Sequence, residues 1–303
     1  MTRFINVATC NFEKNGKGDR SLWEAMHKRL RSLNLQVLFR QEMWGANDDD
    51  NELADAAERV LELEGRIGER CCTAVYTDPA VFAHEHHWPL TGGMWVQPPA
   101  AHAFRYLPAG DDAPPLVAVS YHLNYGSPTL RAAESEYLTT WNDKRWQSKK
   151  GQQISLPALF GGDSNSYPDR AIQGDRPLPQ LREIEDRPHR AHRSYQGWHG
   201  RRIMDSRADE TLRTAGMEDV ARHLAEKGDA SGLAATMDAS STHGPATRVD
   251  RIYASTALLP AVSSVEVIDM TGLSDHHTVL LKLDYDVLAD VLRSLVQQAR
   301  SAV

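Results

Sequence analysis

Several apolar segments of this 303-residue chain are bordered by side chains that can transfer protons or bind cations. Asp163 and Asn165 follow the run "ALFGG", two residues apart. The other cases are Asn11 after "FINVATC", Glu42 after "LQVLFRQ", His122 and Asn124 within "VAVSYHLN", Asp250 opening "DRIYAS", and Asp275 with His276 before "TVLLKLDY". Four carboxylates at one edge would repel, at about 4 kcal/mol for a pair 4 Å apart. Such a group needs a cation, and oxygen ligands without clustered cysteines favour Mg²⁺, with Mn²⁺ as a substitute.

The apolar runs predict β-strands, and amphipathic segments between them predict helices. Four of the polar sets follow their strands and two precede them. If all six share one edge, the last two strands must run opposite to the first four. The sheets are then mixed rather than doubly wound and parallel, and the missing glycine-rich dinucleotide turn agrees with this.

Taken singly, each of these residues has an ordinary structural explanation. An Asp or Asn after a strand is commonly part of a turn. Glu42 alone would be a solvated carboxylate, and His122 alone a hydrogen-bonded core histidine. Their recurrence at six strand ends is poorly explained by turns alone.

The composition is that of a soluble globular protein, with 41% hydrophobic and 25% charged residues. No apolar stretch approaches the about 18 residues that a membrane span needs, and no signal core opens the chain, so we expect a cytoplasmic protein without membrane insertion. Cys10, Cys71 and Cys72 fit neither a disulfide framework nor a zinc knuckle. The net charge of −7 argues against a protein that coats nucleic acid.

No repeat or linker divides the sequence, and we expect one catalytic domain over 1–303. Ser127 is the expected N-cap of a helix that starts at Pro128. A surface helix is expected at about 286–302. The stretch at about 164–206, rich in Pro, Arg, His and Asp, is expected to be a long excursion from the core.

The segments "ATCN", "RQE", "SYHLN", "GGDSN", "RVDRIY" and "LSDHH" resemble the endonuclease/exonuclease/phosphatase superfamily of metal-dependent phosphoesterases. The resemblance runs from about residue 4 to residue 283. It implies a four-layer α/β sandwich with two packed mixed β-sheets and an active site at one rim. Pancreatic-type deoxyribonucleases, apurinic endonucleases, inositol-polyphosphate phosphatases and neutral sphingomyelinases belong to this superfamily.

The resemblance also implies a role for each matching residue. Glu42 would be the main carboxylate ligand of a divalent cation, with Asn11 beside it and Asp275 as a further carboxylate. The implied catalytic residues are Asp163 to position or deprotonate the attacking water, Asn165 to hold phosphoryl oxygens, His276 to contact the scissile phosphate, Asp250 to orient that ring, and His122 to assist the leaving oxygen.

Three residues depart from the apurinic branch or from the superfamily. The apurinic branch has Tyr in place of His122 and Asp in place of Glu13, and Cys10 stands where Trp is common. These differences leave the branch open. Covalent catalysis is not expected, because no nucleophilic Ser or Cys motif is present.

Two histidine- or arginine-rich stretches need separate interpretation. The run "HEHH", with His84, His86 and His87, fits neither a helical HExxH pair nor a zinc finger, and we expect a surface loop. The stretch 186–202 holds five Arg against one Asp. The candidate substrate-binding residues are Arg187, Arg190, Arg193, Tyr195 and Trp198, together with Asn124. Arginines bind phosphates and aromatic faces stack on bases, but a solvated arginine-rich loop is an equal alternative.

The sequence therefore predicts Mg²⁺-dependent hydrolysis of phosphodiesters by attack of water, most simply by a nuclease acting on nucleic acid. A phosphomonoesterase or a lipid or inositol phosphate hydrolase is the alternative. A catalytically inactive binding module is a third interpretation, and the full set of site residues speaks against it.

Overall fold

The computed structural model describes residues 3–90, 93–169 and 174–301, which form sixteen strands and seven α-helices. The strands are β1 Phe4–Asn11, β2 Val37–Gln41, β3 Glu64–Ile67, β4 Thr73–Thr77, β5 Phe82–His87, β6 Ala100–Tyr106, β7 Leu116–His122, β8 Arg145–Gln147, β9 Gln153–Ser155, β10 Ala158–Asp163, β11 Ser194–Gln196, β12 Arg202–Met204, β13 Met217–Asp219, β14 Asp250–Ser255, β15 Val262–Ile268 and β16 Thr278–Asp284. The helices are α1 Arg20–Arg31, α2 Glu52–Leu61, α3 Pro128–Leu138, α4 Arg187–His192, α5 Arg207–Thr214, α6 Val220–Ala225 and α7 Tyr285–Ser301.

Twelve of these strands build two six-stranded sheets. The first sheet has the order β15-β16-β1-β2-β4-β3, and the second has the order β13-β14-β10-β7-β6-β5. In the first, β1 is parallel to β2 and antiparallel to β16. In the second, β10 is parallel to β7 and antiparallel to β14. The predicted mixed sheets, with the last strands reversed, are confirmed.

The two sheets pack face to face over an apolar core. Val7 and Phe39 of the first sheet meet Phe104, Leu159 and Ile252 of the second in one buried cluster. Because helices cover the outer faces as well, strands such as β2, β7 and β10 are buried along their whole length and read as continuous apolar runs.

The outer layers consist of helices. Trp23 and Leu30 of α1 pack on the first sheet, and Leu138 and Leu212 of α3 and α5 pack on the second. The Ser127 hydroxyl accepts a hydrogen bond from the Leu130 N–H at 3.3 Å, which confirms the predicted N-cap. The four-layer α/β sandwich is therefore the observed fold.

The expectation for the "HEHH" run is wrong. His84, His86 and His87 lie in β5, the edge strand of the second sheet. A bulge between His84 and His86 lets His84 and His87 both contact His102 of β6. In this strand, contacts between imidazole rings take the place of the usual alternation of apolar side chains.

The stretch at about 164–206 carries a small apolar cluster of its own, with Tyr167, Ile184 and Met204 at its centre. Short elements, α4, β11 and β12, lie within it, while residues 170–173 fall outside the described ranges. The closing helix α7 starts at Tyr285, one residue before the predicted start, and residue 302 of the prediction lies outside the described residues. Among the described residues, no helix has both the length and the apolar character required to cross a membrane.

Candidate active site

Most of the polar residues at the strand ends converge on one cleft between the two sheets. The second to fourth strands of each sheet, β16-β1-β2 and β14-β10-β7, present their polar ends at the same edge. In the second sheet Asp163 lies opposite both Asp250 and His122 in the strand register. The cleft encloses about 250 Å³, and Glu42 and Asp275 from the first-sheet side line it with Asp163 and His122.

Asp163 is the buried centre of the site. Its carboxylate accepts hydrogen bonds from the Asn165 N–H at 2.7 Å and from Asn11 Nδ2 at 3.3 Å, and His122 Nε2 lies 3.4 Å away. Burial alone would raise the pKa of Asp163, but the His122 hydrogen bond and the His276 charge outweigh it and hold that pKa below its ordinary value. The carboxylate is therefore ionised at neutral pH, with fixed partners.

His276 is held by Asp250. Its Nδ1 donates to Asp250 Oδ2 at 2.8 Å, and this bond assigns the ring orientation. Burial would lower the pKa of His276, but the Asp250 and Asp163 carboxylates outweigh it and raise that pKa to about 10. For Asp250 burial dominates, and its pKa is raised above the usual value despite the neighbouring imidazolium. Ligand atoms of Asp163, Asp250 and His276 all lie within 4.8 Å of one another.

His122 is supported by a residue that the sequence did not single out. Gln97 Nε2 lies 3.1 Å from His122 Nδ1, and a flipped amide would accept from a protonated ring instead. Burial acts to lower the pKa of His122, yet the Asp163 and Glu42 carboxylates raise it above its ordinary value. No motif marks Gln97, since it reaches the site from the segment before β6.

Glu42 and Asn165 both adopt a left-handed backbone, with φ of 58° and 47° respectively. This conformation suits Asn but costs a Glu about 1–2 kcal/mol, and such strain is concentrated at functional sites. The Lys14 N–H donates to Glu42 Oε2 at 2.7 Å. Asn165 Nδ2 donates to the Leu123 carbonyl at 2.9 Å. The strained turn thus places the Glu42 carboxylate at the cleft.

Ser274 ties the first sheet to the turn that carries His276. Its hydroxyl donates to the Asn11 carbonyl at 3.0 Å and accepts from the His276 N–H at 3.3 Å. Ser274 Oγ also lies 3.3 Å from Asp275 Oδ1. Asp275 is exposed at the cleft, whereas Asn11 is buried against Asp163.

The donor set fits a hard divalent cation. Asn11 Oδ1 and Asp250 Oδ1 are buried without a hydrogen-bond partner, and buried oxygens of this kind need a ligand or water. Glu42 and Asp275 add carboxylates at the cleft wall. The geometric cluster of Asp163, Asp250 and His276 differs from the expected ligand set of Asn11, Glu42 and Asp275.

The candidate substrate-binding residues are mostly placed away from the cleft. Asn124 Oδ1 accepts hydrogen bonds from the Gly126 and Ser127 N–H groups at 3.0 and 2.8 Å, so this side chain shapes the turn before α3. In the basic stretch, Arg187 is exposed to solvent and Arg190 donates a hydrogen bond to the Ile184 carbonyl. The Tyr195 ring lies 4.0 Å from the Arg207 guanidinium. Trp198 is 90% exposed and lines a separate surface depression. Of the predicted arginines, Arg193 alone lines the cleft described here.

Several other residues that line the cleft were not anticipated from the sequence. They are Lys14, Trp44, Tyr125, His189, Met237 and His243. All lie outside the strands, in loops, short turns and the short helix α4. Apolar periodicity carries no signal for such positions.

No family profile matches this sequence, and no curated protein is similar to it. Solved structures do match. An AP endonuclease from Archaeoglobus fulgidus superposes with a TM-score of 0.62 at 13% identity, covering 92% of this chain and 99% of the other. An endonuclease/exonuclease/phosphatase from Bacteroides vulgatus gives 0.61 at 16% identity, covering 93% and 98%. TDP2 of D. rerio, complexed with a single-strand DNA product, gives 0.59 at 11% identity, covering 92% and 98%. The chain thus has the fold of the endonuclease/exonuclease/phosphatase superfamily.

Proposed function

We propose that this protein hydrolyses phosphodiester bonds by attack of water, with a divalent cation, and that it is a nuclease. The observation that carries the proposal is the meeting of Asp163, His276 and Glu42 at one cleft, although they come from strand ends far apart in the sequence. The fold shared with an AP endonuclease and with TDP2 supports phosphoester chemistry.

Asp163 would hold and deprotonate the attacking water. Its carboxylate is kept ionised by His122 and His276, and the Asn165 N–H and Asn11 Nδ2 fix its orientation. A general base must be positioned before its pKa matters. The buried, doubly held carboxylate meets that requirement.

His276 would stabilise the charge that develops on the phosphoryl oxygens. Because Nδ1 is bonded to Asp250, the remaining Nε2–H is available to the cleft. A cation at neutral pH, with its pKa raised to about 10, is an effective donor to an oxyanion in a water-poor site. Asn165, beside Asp163, would add a second polar contact to the same oxygens.

Glu42, Asp275 and Asn11 would hold the cation, which when bound neutralises negative charge in the transition state. The contribution of these three residues is to fix where the cation would bind. Glu42 is fixed by the Lys14 N–H and Asn11 by its bond to Asp163. His122, whose pKa is raised by Asp163, would supply a proton to the leaving oxygen.

A substrate panel tests the proposal. We expect hydrolysis of a bis-aryl phosphodiester and of single-stranded DNA, double-stranded DNA or RNA with Mg²⁺ or Mn²⁺, and none with EDTA. If an aryl phosphomonoester is the preferred substrate, the protein is a phosphatase and not a nuclease. If the folded wild-type protein hydrolyses none of these substrates, the interpretation that remains is a catalytically inactive binding module.

A further inference from the structure

The cleft contains a buried arginine without an ion-pair partner among the described residues. Arg193 follows α4, is 4% exposed and lines the cleft with His122, Asp163 and Asn165. No carboxylate among the described residues lies within ion-pair distance of it, and its Nη1 is buried without a hydrogen-bond partner. Of the other buried arginines among the described residues, Arg40 and Arg251 bond to neutral groups, Arg40 to His27 and Asn15, and Arg251 to Ser166 and the Arg248 carbonyl. The remaining three are paired with carboxylates. Arg131 is bonded to Asp205, Arg222 to Asp209, and Arg248 to Asp175 and Asp219.

The buried Nη1 of Arg193 loses water without gaining a hydrogen-bond acceptor, which is costly for a charged group. Such a group in a native structure calls for an explanation. An anion that enters the cleft and accepts from the guanidinium supplies one. Arginine presents a planar pair of donors that match the oxygens of a phosphate.

Two histidines lie beside Arg193 in the same cleft. His189 and His243 contact each other edge to face, with ring centroids 4.4 Å apart, and both line the cleft. Burial, and then the Arg193 charge, lower the pKa of each, to about 4 for His189. Both rings are therefore neutral at pH 7, and each can donate one N–H to an oxygen.

This basic group is separate in the chain from the acidic one. Glu42 and Asp275 belong to the turns next to β2 and β16 of the first sheet. His189 and Arg193 belong to α4 and its C-cap, and His243 to the turn of residues 240–244. The scissile phosphate already has His276, Asn165 and the cation as partners under the proposed function. Arg193 is left for a different anion.

We propose that Arg193, assisted by His189 and His243, binds a second, non-reacting phosphate of the substrate. The inference depends on the proposed function and narrows it. The substrate class becomes a chain with at least two phosphates, that is an oligonucleotide, and not an isolated phosphodiester or a headgroup with one phosphate.

The test compares two substrates that differ in phosphate number. Bis(4-nitrophenyl) phosphate has one phosphate, and a short single-stranded oligonucleotide has several. Arg193→Gln is expected to lower kcat/KM for the oligonucleotide at least about tenfold, the effect of losing a charged hydrogen bond, and to leave kcat/KM for the small diester within twofold. Arg187→Gln, on the exposed side of α4, is the matched control and should change neither.

A binding measurement separates failure of this inference from failure of the proposed function. Anisotropy of a labelled oligonucleotide is measured in the Asp163→Asn background with Mg²⁺, as a function of salt. Removing Arg193 should weaken binding and reduce the salt slope by about 0.7, the value for one phosphate of a single strand. Wild-type protein that hydrolyses neither substrate would refute the proposed function. Equal losses on both substrates, or an unchanged slope, would overturn the second phosphate site.

Thermal unfolding distinguishes a binding role from a structural one. Arg193→Met and Arg193→Gln remove a buried charge that has no ion-pair partner among the described residues. We expect Tm to be unchanged or higher in both variants. A fall in Tm comparable to that of Arg131→Met, which breaks a buried ion pair, would assign Arg193 to the fold and overturn the proposal.

Discussion

Asp250 Oδ2 lies 2.8 Å from Nδ1 of His276, and the two residues belong to different sheets. Asp250 opens β14 in the second sheet, while His276 stands two residues before β16 in the first. The bond therefore joins the sheets at the cleft. It also fixes which nitrogen of His276 is left for a substrate.

Asp250→Asn tests this pairing. The amide oxygen can still accept from Nδ1, but the charge that raises the pKa of His276 is gone. We expect kcat to fall about 10²-fold and the alkaline limb of the pH–rate profile to move to lower pH. Asp238→Asn, which removes the exposed carboxylate bonded to the neighbouring His277, is the control. An unmoved alkaline limb would contradict the assignment.

Asp163→Asn and His276→Ala address the base and the oxyanion donor. Each is expected to lower kcat at least about 10²-fold, with near-UV circular dichroism unchanged. The adjacent His277→Ala should retain activity. Near-normal turnover by either purified site variant would remove its proposed role.

Glu42→Gln tests the cation site. We expect a tenfold or greater rise in the Mg²⁺ concentration that gives half-maximal activity, because a carboxylate ligand becomes a neutral amide. Mg²⁺ should also raise Tm for wild type and much less for the variant. Glu62→Gln is a matched control, since Glu62 has a similar left-handed φ of 56° but is exposed. Equal Mg²⁺ dependence in both variants would exclude Glu42 as a ligand.

Gly162→Ala tests the close approach of β10 to β7. A Cβ at this position would lie 1.9 Å from the Tyr121 carbonyl oxygen, which is backbone and cannot move aside. We expect a loss of at least about 2 kcal/mol in the free energy of unfolding, measured by urea denaturation. Gly126→Ala, with no atom within 4 Å of the added Cβ, should be close to neutral. If Gly126→Ala destabilised the protein more than Gly162→Ala, the close packing of β10 against β7 would be contradicted.

His27 and His102 predict acid sensitivity of the fold. Burial, with Arg40 and His87 as the respective second causes, lowers the pKa of each to about 3 from 6.5. Between pH 3 and pH 6.5 the unfolded chain binds more protons than the folded protein does. The contribution of these histidines to the free energy of unfolding is therefore fully present above pH 6.5 and is lost as the pH falls. The loss from pH 7.5 to 5.5 is about 1.4 kcal/mol per histidine. Urea midpoints should show it, and His27→Gln should reduce the difference while exposed His199→Gln should not.

Much of the fold followed from the strand ends. Asn11, Asp163 and Asp250 sit at the ends of apolar runs, and a shared edge was enough to require antiparallel last strands, which β14 and β16 show. The continuous apolar runs of the fully buried strands make their ends easy to locate in the sequence. The catalytic roles themselves stay predictions.

The rest depended on tertiary contacts that no local pattern encodes. Gln97 and Trp44 reach the cleft from irregular segments. Five arginines in the stretch 186–202 look alike in sequence, yet the turn after α4 buries Arg193 and leaves Arg187 in water. We expected the β5 histidines in a surface loop because their spacing fits no zinc motif, whereas they pair with β6 as a strand.

The location of the cleft on the joint between two sheets has a mechanical consequence. Asn11 and Asp163 touch only while the halves of the sandwich are seated on each other, and the same holds for Asp250 and His276. A slide of one half relative to the other would separate these pairs without breaking a strand. Under the proposed mechanism, rigidity at this joint would therefore matter more for activity than rigidity within either sheet.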